Sequence, residues 1–309
     1  MIETRYLTKS YGKLVALKEL NLTIDQGDIF GFIGPNGAGK TTTIRILATL
    51  LRPTSGQAFV CGYSVNGQAK HIRRKIGYVP DEFGTYEDMT VAEYLEFFGS
   101  LYGIPTKERK TVIQGVLDLT DLNYKETAQV DSLSRGMRQR LAISRVLLHD
   151  PEVLLLDEPA SGLDPRARIE IRELLKELRN MGKTILISSH ILSELRELCT
   201  QVGIIEEGTL LFSGSLGEAI SRVRKGDVVR VRLREGSEGA AALLAEHEFV
   251  TAAQLDEGGF VEIRLKEQID DYTFVPEFLV SKGYRILELR EEDIDLEDAF
   301  MKLTRGQVS

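Results

Sequence analysis

A glycine-rich octapeptide, GPNGAGKT, constrains this chain more than any other feature of its sequence. It fits the pattern G-x-x-x-x-G-K-[ST], and it lies between an apolar segment, Ile29–Ile33, and a segment with helical spacing that begins at about Lys40. Glycines let successive backbone N–H groups turn inward, and a helix N-terminus adds further unbonded N–H groups. The sequence therefore predicts a strand, a phosphate-binding loop and a helix in that order.

Two side chains of this motif carry its chemistry. Lys40 is expected to reach the β- and γ-phosphates of a nucleotide, and the Thr41 hydroxyl is expected to ligate Mg²⁺. The alternative is a glycine-rich turn between a strand and a helix that contains a lysine by chance.

A second apolar run ends in two acidic residues. Val153–Leu156 is typical of a strand that is covered on both faces, and Asp157 and Glu158 follow it directly. Ligands of open α/β sheets bind at the carboxyl ends of parallel strands. Asp157 therefore fits a role at Mg²⁺, and Glu158 fits the base that orients an attacking water. The alternative is a pair of structural carboxylates at a strand end.

Three further features have both a functional and a structural interpretation. Tyr11 precedes the glycine-rich loop and is placed to stack on a nucleotide base, although a lone aromatic is more often core or rim. Ser134 and Gly136 begin a predicted helix and form a second candidate phosphate contact, or simply a capped helix start. His190 ends a third apolar strand, which favours a γ-phosphate contact over a structural role.

Composition and charge limit the class of protein. The 309 residues include only two cysteines and carry a net charge of −8, and the segment after Ile220 holds 13 basic and 19 acidic residues. A nucleic-acid-binding surface predicts the opposite charge bias. No secretory signal or run of about 18 apolar residues occurs. We expect a soluble, cytoplasmic chain without disulfides, which needs another polypeptide for any membrane role.

The patterns predict two domains. Residues 1–220 are expected to form the nucleotide-binding domain, with a helical subdomain at about 85–150, and residues 221–309 a smaller α+β domain. A short helix is predicted over VALKEL, residues 15–20. In the second domain, strands and helices follow the order strand-helix-strand, strand-helix-strand and end in a helix over DLEDAFMKL, which is typical of a ferredoxin-like unit. We interpret this domain as regulatory or dimer-stabilising.

The order of these motifs resembles that of the ATP-binding subunits of ABC transporters over about residues 1–220. The segments that carry the resemblance are Tyr11, GPNGAGKT, IGYVPD, LSRGMRQRL, VLLLDEP, SGLD and His190. The resemblance implies a P-loop NTPase cassette with a mixed sheet and a helical subdomain. It also implies that the base stacks on Tyr11 and that the phosphates and Mg²⁺ are held by Gly34, Pro35, Asn36, Gly37, Ala38, Gly39, Lys40, Thr41 and Thr42.

The same resemblance assigns the remaining site residues. Asp157 and Glu158 would serve the metal and the water, and His190 would contact the γ-phosphate. Ser134 and Gly136 would act in trans and complete the site of a facing subunit. Because the chain has one of each element, two cassettes must meet head to tail, and a homodimer is the simplest arrangement.

The chain departs from the family pattern at three positions. Asp81 stands where the family usually has glutamine, and its carboxylate is also an oxygen ligand for Mg²⁺. Arg135 and Met137 replace the commoner glycine and glutamine of the signature, whereas Ser134 and Gly136 are retained.

The functional expectation is an ATPase that dimerises around two ATP molecules and drives a separate membrane permease, through the segment from Asp81 to Gly115. LSRGMRQRL, TVAEYLEFFGSLYGI and DLEDAFMKLT are similar to the drug-resistance, daunorubicin-type exporter ATPases. One alternative is a soluble ABC ATPase acting on the ribosome or DNA, which the single cassette and acidic tail disfavour. A phosphoryl transferase on the same loop would leave LSRGM and His190 unexplained.

Overall fold

The computed structural model describes residues 1–81, 84, 88–189, 191, 195–223, 228–256, 258–266, 269 and 271–291. Two compact units are present, one comprising Met1–Ala219 and one beginning at Ile220. No helix among the described residues combines the length and the apolar character required to cross a bilayer.

Among the described residues, the first unit contains ten strands, two short 3-10 helices and seven α-helices, of which the last, α7, extends past the boundary at Ala219. The strands are β1 (Ile2–Tyr11), β2 (Leu14–Ile24), β3 (Ile29–Ile33), β4 (Ser55–Val60), β5 (Tyr63–Ser64), β6 (Ile76–Val79), β7 (Val153–Asp157), β8 (Thr184–Ser189), β9 (Gln201–Glu206) and β10 (Thr209–Ser215). The helices are α1 (Lys40–Leu47), α2 (Ala69–Lys75), α3 (Val91–Leu101), α4 (Thr106–Leu119), α5 (Arg135–Leu147), α6 (Pro165–Asn180) and α7 (Leu216–Val223).

A six-stranded mixed sheet forms the centre of this unit, in the order β10-β9-β3-β8-β7-β6. Strands β3, β7 and β8 are buried along their whole length, which explains their continuous apolar sequences. The five neighbouring strands β9, β3, β8, β7 and β6 are parallel, and β10 at the edge of the sheet is antiparallel to β9. The register pairs Ile33 with Ser189 and Asp157 with Ser188, so the carboxyl ends of β3, β8 and β7 meet at one edge.

A second, antiparallel sheet has the order β2-β1-β4-β5. The helix predicted over residues 15–20 is wrong, because these residues lie within β2. Its buried residues Leu17 and Leu20 are three apart, as on a helix. The pairing of β1 with β2 shifts register between Leu17 and Leu20, which produces this spacing. Glu19 lies in the shifted segment and has φ +50°.

Helices α3, α4 and α5 form the helical part of the unit. Thr90 and Glu93 make a capping box at the start of α3, and Tyr94 and Leu95 turn into the interior. The Arg145 guanidinium of α5 donates to the Tyr94 hydroxyl at 3.3 Å and lies 5.1 Å from the centre of the Phe98 ring. These contacts join α3 directly to α5.

The second unit has the element order β-α-β-β-α-β. Its elements are β11 (Val228–Leu233), α8 (Ser237–Ala245), β12 (Val250–Leu255), β13 (Phe260–Leu265), α9 (Phe274–Ser281) and β14 (Ile286–Glu291). The sheet order is β12-β13-β11-β14, and each neighbouring pair is antiparallel. Val229 and Val231 face a core, whereas Arg230 and Arg232 pair with Glu262 and Glu288. The last predicted helix, over residues 295–303, lies outside the described residues.

Candidate functional site

The glycine-rich loop connects the end of β3 to the start of α1. At Gly34 a Cβ atom would lie 2.3 Å from the Ile205 carbonyl oxygen of β9, so only glycine fits. Gly39 is the N-cap of α1, has φ +110°, and would carry a Cβ 2.7 Å from the Ala16 carbonyl. Pro35, Asn36 and Gly37 form the exposed tip of the loop, whereas the chain is buried from Ala38 to Lys40. These close approaches hold the backbone in a tight turn that leads into the N-terminus of α1, and a helix N-terminus favours anions.

Lys40 begins α1 and is only 5% exposed. Its Nζ donates to the Gly34 carbonyl at 2.5 Å and the Pro35 carbonyl at 3.3 Å, and lies 3.4 Å from Glu158 Oε1. No acidic residue occurs in the first turn of α1. The buried ammonium thus adds to the positive end of the helix dipole at the loop.

Asp157 ends β7 and is 2% exposed. Its Oδ1 accepts hydrogen bonds from the Thr41 hydroxyl at 3.1 Å and from the Ser188 hydroxyl at 2.6 Å. Thr42, the next residue of α1, is half-buried. A carboxylate held by two hydroxyls inside the fold has a fixed orientation. Burial raises the pKa of the nearby Tyr78 phenol, the Arg45 side chain lowers it in part, and the negative charge of Asp157 raises it slightly, so the phenol is neutral at pH 7.

Glu158 directly follows Asp157 and has φ +48°. This left-handed conformation is rare for a residue with a side chain, and such strain is concentrated at functional sites. The Glu158 backbone N–H donates to the Ser188 hydroxyl at 2.9 Å and to the Ser188 carbonyl at 3.2 Å. The turn directs the carboxylate towards Lys40, away from the direction of β7.

The structure also places the hairpin that carries Tyr11 beside the loop. Tyr11 pairs with Leu14 at the tip of β1 and β2, and Val15 precedes Ala16, whose carbonyl approaches Gly39. Tyr11, Leu14 and Val15 are all exposed. The hairpin thus presents an apolar surface next to the phosphate loop, as base stacking requires.

Ser134 and Gly136 lie at the N-terminus of α5. Ser134 is the N-cap and accepts a hydrogen bond from the Met137 N–H at 3.3 Å. A Cβ at Gly136 would lie 2.6 Å from the Cβ of Ala167 on α6, and a Cβ at Gly162 would lie 2.8 Å from the Arg135 guanidinium. Among the described residues, no hydrogen bond or ion pair joins Ser134 to the phosphate loop of its own chain. The α5 N-terminus is therefore packed against the SGLD loop and α6.

Two other predicted site residues are less fully described. Asp81 is exposed and follows β6, whose Val79 pairs with Leu156 of β7, so it lies near the sheet edge that carries Asp157. His190 lies outside the described residues, directly after Ser189 of β8.

The donor set fits a magnesium nucleotide. Mg²⁺ prefers oxygen ligands and commonly takes one or two protein groups together with substrate phosphates and water. The Thr41 hydroxyl and the Asp157 carboxylate supply two adjacent oxygens. Within the residues that the structure describes, no group of three or more His, Cys, Asp and Glu side chains converges on a common point.

Sequence reasoning missed one residue of this site. Ser188 bonds both the Asp157 carboxylate and the Glu158 backbone, and so links the two acidic residues to β8. The sequence signal for this role was the pair Ser188 and Ser189, which ends a largely apolar strand. Their partner could be identified only once the order of β7 and β8 was known.

Comparisons with known proteins agree with this arrangement. Residues 17–161 match a family model described as ABC transporter. The chain is 38% identical to the bacitracin transport ATP-binding protein BcrA of Bacillus licheniformis, over 99% of this chain and 98% of that protein. It is 31% identical to the linearmycin resistance ATP-binding protein LnrL of Bacillus subtilis, over 98% of each chain.

A solved structure supports the same assignment. A dimeric ATP-binding cassette in a post-hydrolysis state, bound to ADP and phosphate, matches with a TM-score of 0.64 and 29% identity, over 70% of this chain and 99% of that one. The first unit thus has the P-loop cassette fold, with its mixed sheet and helices. The chain belongs to the ABC transporter family, in which it is an ATP-binding subunit that hydrolyses ATP.

Proposed function

We propose that this chain hydrolyses Mg-ATP at the site formed by α1 and the carboxyl end of β7, and that it does so within a head-to-tail pair of cassettes. The observation that carries the proposal is the convergence of Lys40, Thr41, Asp157 and Glu158, which the sequence separates by more than a hundred residues. Residues 34–42 hold the phosphates, and Tyr11 stacks on the adenine.

The roles follow from the positions of the side chains. Lys40 offsets negative charge on the β- and γ-phosphates, because its buried ammonium lies at the loop. Thr41 and Asp157, with Asp81 nearby, would hold Mg²⁺, and a bound Mg²⁺ would offset negative charge on the phosphates. Glu158 accepts a hydrogen bond from the attacking water and orients it towards the γ-phosphate, and His190 contacts that phosphate.

Ser134 and Gly136 act on the ATP of the facing subunit. This proposal is supported by their position at the start of α5, where Ser134 is exposed and Gly136 is buried, and by the N–H groups of that helix end. Two copies of the chain then enclose two ATP molecules, and each site needs residues from both copies. Hydrolysis adds charge repulsion between the products and releases the pair.

The pair is proposed to sit on the cytoplasmic face of the cell membrane through a separate permease. Exposed apolar residues of α3 and the residue after it, Phe97, Leu101 and Tyr102, provide a contact surface within the segment from Asp81 to Gly115. Two relatives are named for bacitracin transport and linearmycin resistance, which supports export as the direction and the drug-resistance subclass.

The domain limits proposed are residues 1–220 for the cassette and 221–309 for the accessory domain. The β-α-β-β-α-β order and the strand order β14-β11-β13-β12 support a ferredoxin-like fold for the second domain. A regulatory or dimer-stabilising role is proposed for it.

Glu158→Gln tests the catalytic proposal. The amide keeps the size of the side chain but is a poor proton acceptor, so turnover should fall by about 10²- to 10⁴-fold, or roughly 3–5 kcal/mol of barrier, while ATP still binds. Phosphate release and equilibrium binding of radiolabelled ATP measure the two quantities separately.

A matched control is Glu177→Gln, which makes the same chemical change at an exposed position on α6. It should keep wild-type turnover. Undiminished hydrolysis in Glu158→Gln would remove Glu158 from the proposed role, and loss of ATP binding would show that the substitution damages the site as a whole.

A further inference from the structure

A lysine lies against the ring proposed to receive the base. Tyr11 is 47% exposed, and Lys9 Nζ lies 5.1 Å from the centre of its ring. Among the described residues, no second cation and no aromatic ring contacts Tyr11. Lys9 therefore covers one side of a ring that is otherwise open.

A hydrogen bond to the segment that follows α1 holds the Lys9 ammonium in place. Lys9 Nζ donates to the Arg52 carbonyl at 2.9 Å, in the segment that follows α1. The same segment is tied to β1 by a hydrogen bond from the Thr54 N–H to the Thr8 carbonyl at 2.8 Å and one from the Ser10 N–H to the Thr54 hydroxyl at 3.0 Å. Within the described residues no carboxylate pairs with Lys9, so its charge acts on the ring.

An ammonium in this position changes what the other face of the ring can bind. Aromatic rings have negative faces, and two such faces repel when they stack directly. A cation on one side attracts π-electron density towards itself, which makes the opposite face less negative. It also restricts rotation of the ring before the ligand arrives, which lowers the entropy cost of binding.

We propose that Lys9 is a positioning residue for the adenine of ATP: its ammonium orders the Tyr11 ring and prepares the opposite face for the base. The inference rests on the proposed function, which assigns Tyr11 to the base. Lys9 acts on the base through Tyr11 and has no role at the phosphates.

Two ligands separate this role from a general effect on the site. The β,γ-imido analogue of ATP has a base and three phosphates, whereas inorganic tripolyphosphate has the phosphates alone. Isothermal titration of the full chain with each ligand gives two dissociation constants. Lys9→Met removes the charge but keeps an unbranched side chain. It should raise the dissociation constant of the analogue by about 3- to 10-fold and leave that of tripolyphosphate unchanged.

Two further variants sharpen the test. Lys9→Arg keeps a cation that stacks on aromatic rings and should restore affinity for the analogue. Lys13→Met is the control, because Lys13 is an exposed lysine on the same hairpin and makes no contact with the ring among the described residues. In a Tyr11→Ala background, Lys9→Met should have no further effect, since the ring through which it acts is gone.

Equal weakening of both ligands by Lys9→Met would overturn the inference, because Lys9 would then act on the phosphates. Unchanged or tighter binding of the analogue would overturn it too, since Lys9 would then be irrelevant or in the way of the base. Binding of the two ligands to the wild-type chain shows whether the proposed function itself fails. Binding of neither ligand would refute the nucleotide site itself, and equal affinity for both would refute the role of Tyr11 and, with it, that of Lys9.

Discussion

At the scale of residues, Asp157 and Glu158 are neighbours in sequence whose carboxylates have different partners. Asp157 is buried and accepts hydrogen bonds from two hydroxyls, whereas Glu158 turns out of the strand in a left-handed conformation and faces Lys40. Such a conformation costs about 1–3 kcal/mol. The cost is offset by the bonds that Ser188 makes to both residues. The fold thereby gives the two adjacent carboxylates different surroundings, which fits the separate metal and water roles proposed for them.

His149 gives a prediction for the dependence of stability on pH. Its ring packs on Tyr102 with centres 4.2 Å apart, Nε2 lies 2.9 Å from the Ile76 carbonyl oxygen, and Nδ1 is buried without a hydrogen bond among the described residues. Burial lowers the pKa of His149 more than the bond to Ile76 raises it. Protonation therefore favours the unfolded chain. The contribution of His149 to the free energy of unfolding should be fully present above the ordinary histidine pKa of about 6.5. It should be lost as the pH falls through that value.

His149→Phe should remove this component. Between about pH 7.5 and about pH 5.5, the wild type should lose up to about 1 kcal/mol more than the variant. Urea denaturation of both proteins at the two pH values measures the loss in the free energy of unfolding for each. The carboxylates are the same in both proteins, so their contribution cancels when the two losses are compared. The same loss in both proteins would show that His149 is not responsible.

Most residues of the site were predictable from the sequence because their chemistry is tied to local motifs. The phosphate loop, Asp157, Glu158 and the cap at Ser134 each follow from spacing within one segment. The contacts of Ser188 and Lys9 join distant segments of the chain: Lys9 bonds the Arg52 carbonyl, and Ser188 bonds the end of β7. The strained turn at Glu158 has no sequence signal, since glutamate rarely adopts it.

At the scale of elements, helix ends were predicted well where side chains cap them. Ser134 caps α5, as the sequence predicted, and the cap residue Asp164 with Pro165 begins α6. Helix α2 was not predicted, because its seven residues have one buried apolar side chain and therefore no periodicity. The error at β2 has a related cause, since a bulge inserts an extra residue and imitates helical spacing.

The close approach of α5 and α6 predicts the effect of a single methyl group. In Gly136→Ala the new Cβ would meet the Ala167 Cβ at 2.6 Å, and neither group can rotate away. We expect the free energy of unfolding to fall by about 1–3 kcal/mol. Ala167→Gly in the same chain makes room for the methyl and should restore most of that loss, apart from about 0.5–1 kcal/mol for glycine in a helix.

Denaturant titration of the wild type, both single variants and the double variant gives the coupling between the two positions. ATPase activity of the double variant then separates packing from contact with phosphate. An unchanged stability in Gly136→Ala, or no recovery in the double variant, would contradict the tight packing of these helices.

At the scale of the whole molecule, the sequence indicated an α/β nucleotide-binding unit followed by a smaller α+β unit. In the second unit, β11 and β13 alternate buried apolar residues with more exposed ones, a pattern that is typical of half-exposed strands. The sheet orders could not be derived in this way, because they depend on pairings between segments far apart in the chain. A solved relative forms a pair of such cassettes, which supports the pair proposed for this chain.

The central claim is that each ATP site is built from two chains, and mixing two inactive variants tests it most directly. Lys40→Ala disables the phosphate loop of its own chain, and Ser134→Phe obstructs the helix end offered to the partner. In a mixed pair of these variants, one site carries both defects and the other carries neither. Mixed pairs make up about half of an equimolar mixture, so ATPase activity should recover to about a quarter of the wild-type rate, although each variant alone is inactive. If Ser134 acts within its own chain, every site in the mixture contains a defect. No recovery, with mixed pairs verified by distinct affinity tags, would contradict the account.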